Sequence, residues 1–343
     1  MTVVIGQRAR VTRFSRVLVL GTLLLGALAL LGVLGLTVGT PRLSLPELWQ
    51  IVAQGGGERV ARITVLQLRL PRACLGALSG VLLALSGTLL QGALRNPLAG
   101  PELLGVSAGA SAVMAAIIVG GLAVPFALHP WLALAGGLAG GGVVLLASLR
   151  TRDTVRLILV GAATTALLDA LVIAIISLGS QNSVALLFLF LLGSLANRTW
   201  QQVQLVLPWA LVCAPLALLC ARPLNLLQLG DELAEGLGLR VLPTRLAMTV
   251  VAAAMVAAVV AVCGPIGWIA LLAPHLVRQL LGTSDARAVL PLAALAGAAL
   301  LLAADLAGRA LFAPVELPVG IWTTLVGGPL LLVLLRRQLR TLR

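Results

Sequence analysis

Lysine is missing from all 343 residues, tyrosine is missing too, and only two histidines and eleven acidic residues are present. Each shortage removes a class of function. Without lysine there is no P-loop lysine to hold nucleotide phosphates and no amine for a Schiff base, so any energy from ATP must come from a partner. His129 and His275 lie far apart in the chain, and neither sits in a cluster of metal-ligating residues or in a Ser/His/Asp arrangement. Cys74, Cys213, Cys220 and Cys263 stand singly inside apolar runs, never as C-x-x-C, and read as small packing residues. Aromatic residues make up 3% of the chain, too few to suggest a stacking site for a cofactor. The residues therefore predict no catalytic group, no cofactor site and no metal site.

What the chain has instead is apolar length. Hydrophobic residues make up 60%, charged residues only 10%, and mean hydropathy is +1.10. That composition is the mark of an all-α polytopic membrane protein, and the unbroken apolar runs exclude the alternating pattern of a barrel. A span needs about 20 apolar residues. Ten are predicted, near 17–38, 72–94, 102–121, 131–149, 155–178, 201–221, 243–262, 266–281, 289–307 and 318–335. The eighth is short and follows a Gly264-Pro265-Ile266-Gly267 break. The first is too long for a signal-peptide core and reads as an uncleaved helix, so 1–343 is read as a single transmembrane domain.

All 24 basic residues are arginine. They sit mainly in short loops, so the pI near 11.7 points to membrane orientation rather than to nucleic acid. With a cytoplasmic N-terminus, 17 arginines fall on the inside and 7 on the outside, and both termini are cytoplasmic. A weak internal repeat fits an even count. Val160-Gly161-Ala162-Ala163-Thr164-Thr165 in the fifth span resembles Val319-Gly320-Ile321-Trp322-Thr323-Thr324 in the tenth, an odd shift that implies an inverted repeat.

One inside segment does not belong in a membrane. Residues 222–245, RPLNLLQLGDELAEGLGLRVLPTR, hold three of the eleven acidic residues. Asp231–Leu237 can form a short amphipathic helix with acids at its N-terminus, ended by Gly238. Asp169 lies in mid-span, where an ionisable group costs about 2.5–3.5 kcal/mol, so it must line a path or hydrogen-bond a neighbouring helix. Gln91 and Ser86 are candidates for a face toward a dimer axis. His275 reads as a packing or hydrogen-bonding residue.

Several segments in order resemble the permeases of the type II ABC importer family, which carry iron-siderophores, haem and cobalamin. They are RLPR at 69–72, LSGTLLQGALRNPLAGPELLGVSAGA at 85–110, LLGSL at 191–195 and LNLLQLGDELAEGLGL at 224–239. CGPIGWIALLAPHLVRQLLG at 263–282, DLAGR at 305–309 and ELPVGIWTTLVGGP at 316–329 complete the set. The resemblance implies a ten-helix permease in the bacterial inner membrane, paired with a second copy or a paralogue around one pathway. Its implied partners are two cytoplasmic ATPases and a periplasmic substrate-binding protein.

By motif matching, Leu229, Gly230, Asp231, Glu232, Ala234, Leu237 and Gly238 belong to the helix that couples to the ATPase. Arg69, Arg72 and Arg309 correspond to the arginines that meet the binding protein. On the residues alone, Arg69 and Arg72 also read as interfacial anchors, and Arg309 as the partner of Asp305 one turn earlier. The resemblance places the cytoplasmic gate at Asn96, Pro97 and Leu98 and at Thr154 and Val155, with Gln91 on the path. Val155 departs from the small hydroxyl residue usual there. The implied function is import of a ferric siderophore or haem by alternating access, with cobalamin as the alternative cargo. An ion-coupled secondary transporter, using Asp169 and Asp305, is the rival from another class.

Overall fold

The computed structural model describes residues 2–39, 41–102, 104–150, 154–312 and 315–341, and every regular element among them is helical. Helix α1 (Thr2–Thr37) is followed by a short α2 (Leu45–Ala53). Ser44 caps α2 through a capping box with Glu47, and the bonds from its N–H and hydroxyl hold the Glu47 carboxyl below its usual pKa. Helix α3 (Arg59–Ile63) runs through one π-helical turn, Thr64–Arg69, into α4 (Leu70–Ala93). Then come α5 (Val106–Val119), α6 (His129–Arg150), α7 (Thr154–Ser177), α8 (Gln181–Leu191) and α9 (Trp200–Leu219). The short α10 (Ala221–Gln228) and α11 (Asp231–Gly236) precede α12 (Val241–Cys263), α13 (Ile269–Leu281), α14 (Ala286–Ala310) and α15 (Val319–Thr341).

Seven of these stretches are long and apolar enough to cross a membrane, the longest being the continuous run Arg59–Ala93. The other three predicted spans are occupied by shorter apolar helices at Val106–Val119, Ile269–Leu281 and Val319–Leu330. The expectation of ten full spans thus meets two helices shortened by broken ends. The chain before α5 passes through the turn after Asn96, and the chain before α13 passes through the Gly264–Trp268 break, so neither helix begins at a surface. A fourth short apolar helix, α8, was not expected. Its 11 residues are too few to signal a span, although Ser180 caps it.

Helix α4 is the hub. It packs against α14, α12, α13 and α9, and every residue from Leu82 to Ala93 is buried or nearly so. Helix α12 is enclosed in the same way from Ala252 to Cys263. Both are apolar on all sides, which suits a helix with protein rather than lipid around it. By contrast α1, α7 and α8 expose rows of leucine, isoleucine and phenylalanine. The close approach depends on glycine. A Cβ at Gly87 would strike the Ala270 carbonyl of α13, and Gly80 faces the backbone of Gly297 on α14.

The helices define two faces. The first gathers the C-terminus of α1, the N-terminus of α4 and the C-terminus of α14, joined by bonds from Arg69, Arg72 and Arg309. The second gathers the C-terminus of α4, all of α10 and α11, and the α13–α14 turn. Gly87→Ala should force α4 and α13 apart at a cost of about 1–3 kcal/mol. The thermal midpoint of the purified chain measures this, and an unchanged midpoint would show that the two helices have room to move.

Candidate functional site

No compact chemical centre exists among the described residues, and no group of three or more potential metal ligands forms. The functional residues fall instead into a charge cluster at each face and a stretch between them.

At the first face the organising residue is Asp305 on α14, only 4% exposed. Arg72 grips it with Nε and Nη2 at 3.0 and 2.9 Å, and uses Nη1 to reach Glu316 at 2.7 Å. Arg309, one turn along α14, approaches the same carboxylate at 3.3 Å and donates to the Gly35 carbonyl of α1 at 3.2 Å. Arg69, at the end of the π-helical turn, donates to the carbonyls of Leu36, Thr37 and Pro41 at 2.8, 3.3 and 2.6 Å. Those carbonyls have no partner within α1, so the arginine serves as its C-cap. Arg69 and Arg309 are thus buried and committed inward, while Arg72 keeps a path to the surface through Glu316. The i, i+4 pairing of Arg309 with Asp305 read from the sequence is present.

At the second face Asp231 opens α11, where the helix dipole favours an acid. Arg245 of α12 holds it bidentately, at 3.0 and 2.7 Å, and donates its Nε to the carbonyl of Ala93, the last residue of α4, at 2.8 Å. Arg95 stands 3.5 Å from the same carboxylate. Ala234 is fully buried and seats α11 on the body. Leu229, Leu233 and Leu237 expose 54%, 62% and 61% of their surface, one every fourth residue, with Glu232 and Glu235 also facing out. Helix α11 thus exposes Leu233 between its acids, with Leu229 just before the Gly230 break and Leu237 just after the last helical residue. It ends where the sequence placed its stop: Gly238 has φ of +85°, and the N–H of Leu239 bonds the Ala234 carbonyl. Helix α10 is tied to the turn before α14 by Asn225 to Asp285 at 2.6 Å and Gln228 to the Ser284 carbonyl at 3.0 Å.

The turn after α4 starts in the same cluster. The N–H of Asn96 returns to the Gln91 carbonyl and that of Arg95 to the Gly92 carbonyl, a Schellman closure with Arg95 at φ +49° in the place where glycine is usual. The left-handed conformation costs a residue with a side chain about 1–2 kcal/mol. The Asn96 side chain then accepts the N–H of Leu98 at 2.9 Å, closing an Asx-turn around exposed Pro97. Thr154 and Val155 open α7 in backbone terms, and their side chains lie outside the described residues.

Gln91 and Ser86 correct the expectation of an axial face. Both are buried within the subunit, since α4 is enclosed on every side. Gln91 donates to the Leu271 carbonyl and accepts from Arg278, both on α13, and Ser86 bonds the Leu83 carbonyl of its own helix. His275 bonds Gln279 on its own helix at 2.9 Å. Asp169 makes no hydrogen bond to a neighbouring helix among the described residues. It lines a cavity of about 380 Å³ with Glu102, Ser107, Ser111 and Thr165.

Sequence reasoning missed Glu102. Its side chain accepts the N–H of Trp268 at 3.2 Å, just before α13, and its backbone carbonyl accepts the Thr165 hydroxyl of α7 at 3.1 Å. Trp268 has φ of +72°, a strained conformation for an aromatic residue, which the carboxylate at a helix N-terminus helps to hold. An acid beside the Asn-Pro turn was the available signal.

The sequence pattern of the FecCD transport family matches residues 27–337. The chain is 40% identical over 330 residues to the hemin transport system permease protein HmuU of Yersinia pestis, covering 94% of this chain and 96% of that protein. It is 40% identical over 275 residues to the Fe(3+) dicitrate transport system permease protein FecD of Escherichia coli, covering 80% and 85%. Identity to the ferric enterobactin transport system permease protein FepG of Escherichia coli is 37% over 328 residues, covering 95% and 98%. A solved metal-chelate type ABC transporter in an inward-facing conformation superposes with a TM-score of 0.82 at 31% identity, over 93% of this chain and 99% of that one.

Because two buried arginines depend on one carboxylate, Asp305→Asn should cost about 3–5 kcal/mol. Chemical unfolding in detergent reads this directly. A loss below about 1 kcal/mol, the scale of an exposed pair, would show that water already screens the cluster.

Proposed function

The chain belongs to the FecCD transport family, and from that premise we propose that it is the permease of an ABC importer that moves an iron chelate, a ferric siderophore or haem, into the cytoplasm. The observation that carries the reading is the 40% identity to a hemin permease along nearly the full length of both chains. The chain contributes no ATPase chemistry. Two cytoplasmic ATPases drive it, a periplasmic binding protein delivers the cargo, and a second copy or paralogue closes the pathway. It is a single domain in the bacterial inner membrane. The three shorter helices complete ten spans arranged as an inverted repeat.

The second face is then cytoplasmic, with both termini on that side, and α11 is the coupling helix. Exposed Leu233 on α11, flanked by exposed Leu229 and Leu237, offers apolar side chains to an apolar groove of a partner. When the ATPases close on ATP, the push enters at α11. Asp231 and Arg245 pass it to the last carbonyl of α4, and so to the Asn96-Pro97-Leu98 gate, to which the family resemblance adds Thr154 and Val155. No bond is made or broken in this chain. It supplies two packings whose relative stability the ATPases shift.

The first face is periplasmic. Three arginines against Asp305 and Glu316 leave it positive, and exposed Arg42, Arg59 and Arg62 lie on the same side by arginine counting. Such a surface steers an acidic binding protein, with Arg69, Arg72 and Arg309 as the family's docking arginines. Since Arg69 and Arg309 are turned inward, Arg72 and Glu316 make the direct contact. A docking rate that does not change with salt would count against this assignment.

A cobalamin cargo remains the alternative within the family. The ion-coupled rival loses one of its two candidate carboxylates, because Asp305 is already neutralised by arginine. Proteoliposomes holding the permease, its ATPases and the binding protein should take up hemin or ferric citrate only with ATP inside. Uptake driven by an ion gradient without ATP would overturn the proposal.

A further inference from the structure

A cavity of about 230 Å³ opens at the second face between the end of α4, the end of α10 and the last turn of α13. Its polar lining comes from Gln91, Arg95, Asn96, Gln228, Arg278 and Ser284, and no lining residue is acidic. Arg278 is mostly buried, and its recorded bond goes to the neutral Gln91 side chain. A guanidinium carries five N–H groups, so most of its donors remain for whatever fills the cavity. Arg95 is little better compensated. It reaches only Asp231, at 3.5 Å, and that carboxylate is already held bidentately by Arg245. Arg245 and Arg95 therefore share one acid, and Arg278 is bonded to none among the described residues.

Two further features mark the site as built. Arg95 occupies a left-handed position that favours glycine, so the fold accepts backbone strain to keep a side chain there. Arg278 is held by Gln91 at the bottom of the cavity, which fixes the fork of the guanidinium. A mostly buried cation without a counter-charge is unfavourable, and a planar fork of donors suits an oxyanion. A water molecule takes about 30 Å³ of liquid, so the space accepts a phosphate group with some of its hydration. The cavity lies at the ends of α4 and α13, which the proposed orientation puts at the cytoplasmic headgroup level, where basic pockets between helices meet anionic lipid.

We propose that this cavity binds a phosphate group, carried by an anionic phospholipid headgroup or by free phosphate. The site borders both the Asn96-Pro97 turn and the residue before Leu229, so its occupant braces the gate against the coupling segment. This goes beyond the permease reading and does not depend on the identity of the cargo.

The test uses the purified full-length chain stripped of lipid. One arm adds phosphatidylglycerol, with phosphatidylcholine as control. The other adds inorganic phosphate, with chloride at equal ionic strength as control. Thermal midpoint and lipid retained in native mass spectrometry are the readouts. Phosphatidylglycerol or phosphate should raise the midpoint of the wild type, and Arg278→Gln should weaken that ligand about tenfold. A response to phosphatidylglycerol alone assigns the headgroup, and a response to phosphate alone assigns the free anion. Should Arg278→Gln fail to fold, Arg95→Gln, at the mouth of the cavity, carries the same expectation. Equal responses in wild type and the folded variants, or no response to either anion, would overturn the proposal. So would a site filled only when the ATPases are bound, which would make it a socket for a protein carboxylate.

Discussion

One guanidinium joins α11 to the end of α4. Arg245 holds Asp231 at the start of α11 with two nitrogens and the last carbonyl of α4 with the third. Bidentate charge-assisted bonds fix direction as well as distance, so α11 cannot shift without pulling on the end of α4. Helix α4 in turn cannot flex independently, because it is packed on all sides through glycine contacts with α13 and α14. In the coupling we propose, a displacement at the second face would be delivered along this link to the Asn96-Pro97-Leu98 turn.

The same economy of charge shapes the rest of the chain. With 24 arginines and 11 acids, most arginines cannot have a carboxylate of their own. Asp305 serves Arg72 and Arg309, and Asp231 serves Arg245 and Arg95. Arg69 uses carbonyls at and just after the end of α1 instead, and Arg278 uses a glutamine and an open cavity. In a medium that punishes an unpaired charge, this sharing ties helix ends to partners distant in the chain at both faces. The cavity beside Asp169 and Glu102 has no such arginine among its described lining residues.

Much of this was legible in the residues. Apolar runs located the long helices, and Gly238 located the end of α11. Arginine counting also grouped these helix ends: Arg95, Arg245 and Arg278 share one face, and Arg69, Arg72 and Arg309 share the other. The short α2, opened by the Ser44-x-x-Glu47 capping box, was not expected. What could not be read was partnership across long separations. Arg72 meets a carboxylate 233 residues away, and Gln91 meets Arg278 187 residues away, and neither spacing carries a periodic signal. The enclosure of Ser86 and Gln91 was likewise invisible, since an apolar helix looks the same whether lipid or protein surrounds it. The π-helical turn that delivers Arg69 to the end of α1 has no sequence mark.

The most direct test is the number of ATP molecules hydrolysed per cargo molecule moved, measured in the reconstituted importer for Asp231→Asn, Arg245→Gln and the double variant. If the Arg245 link carries the push, each single variant still assembles with its ATPases but wastes ATP, and the double variant is no worse than either single one. Wild-type ratios in the single variants, or losses that simply add in the double, would contradict the account.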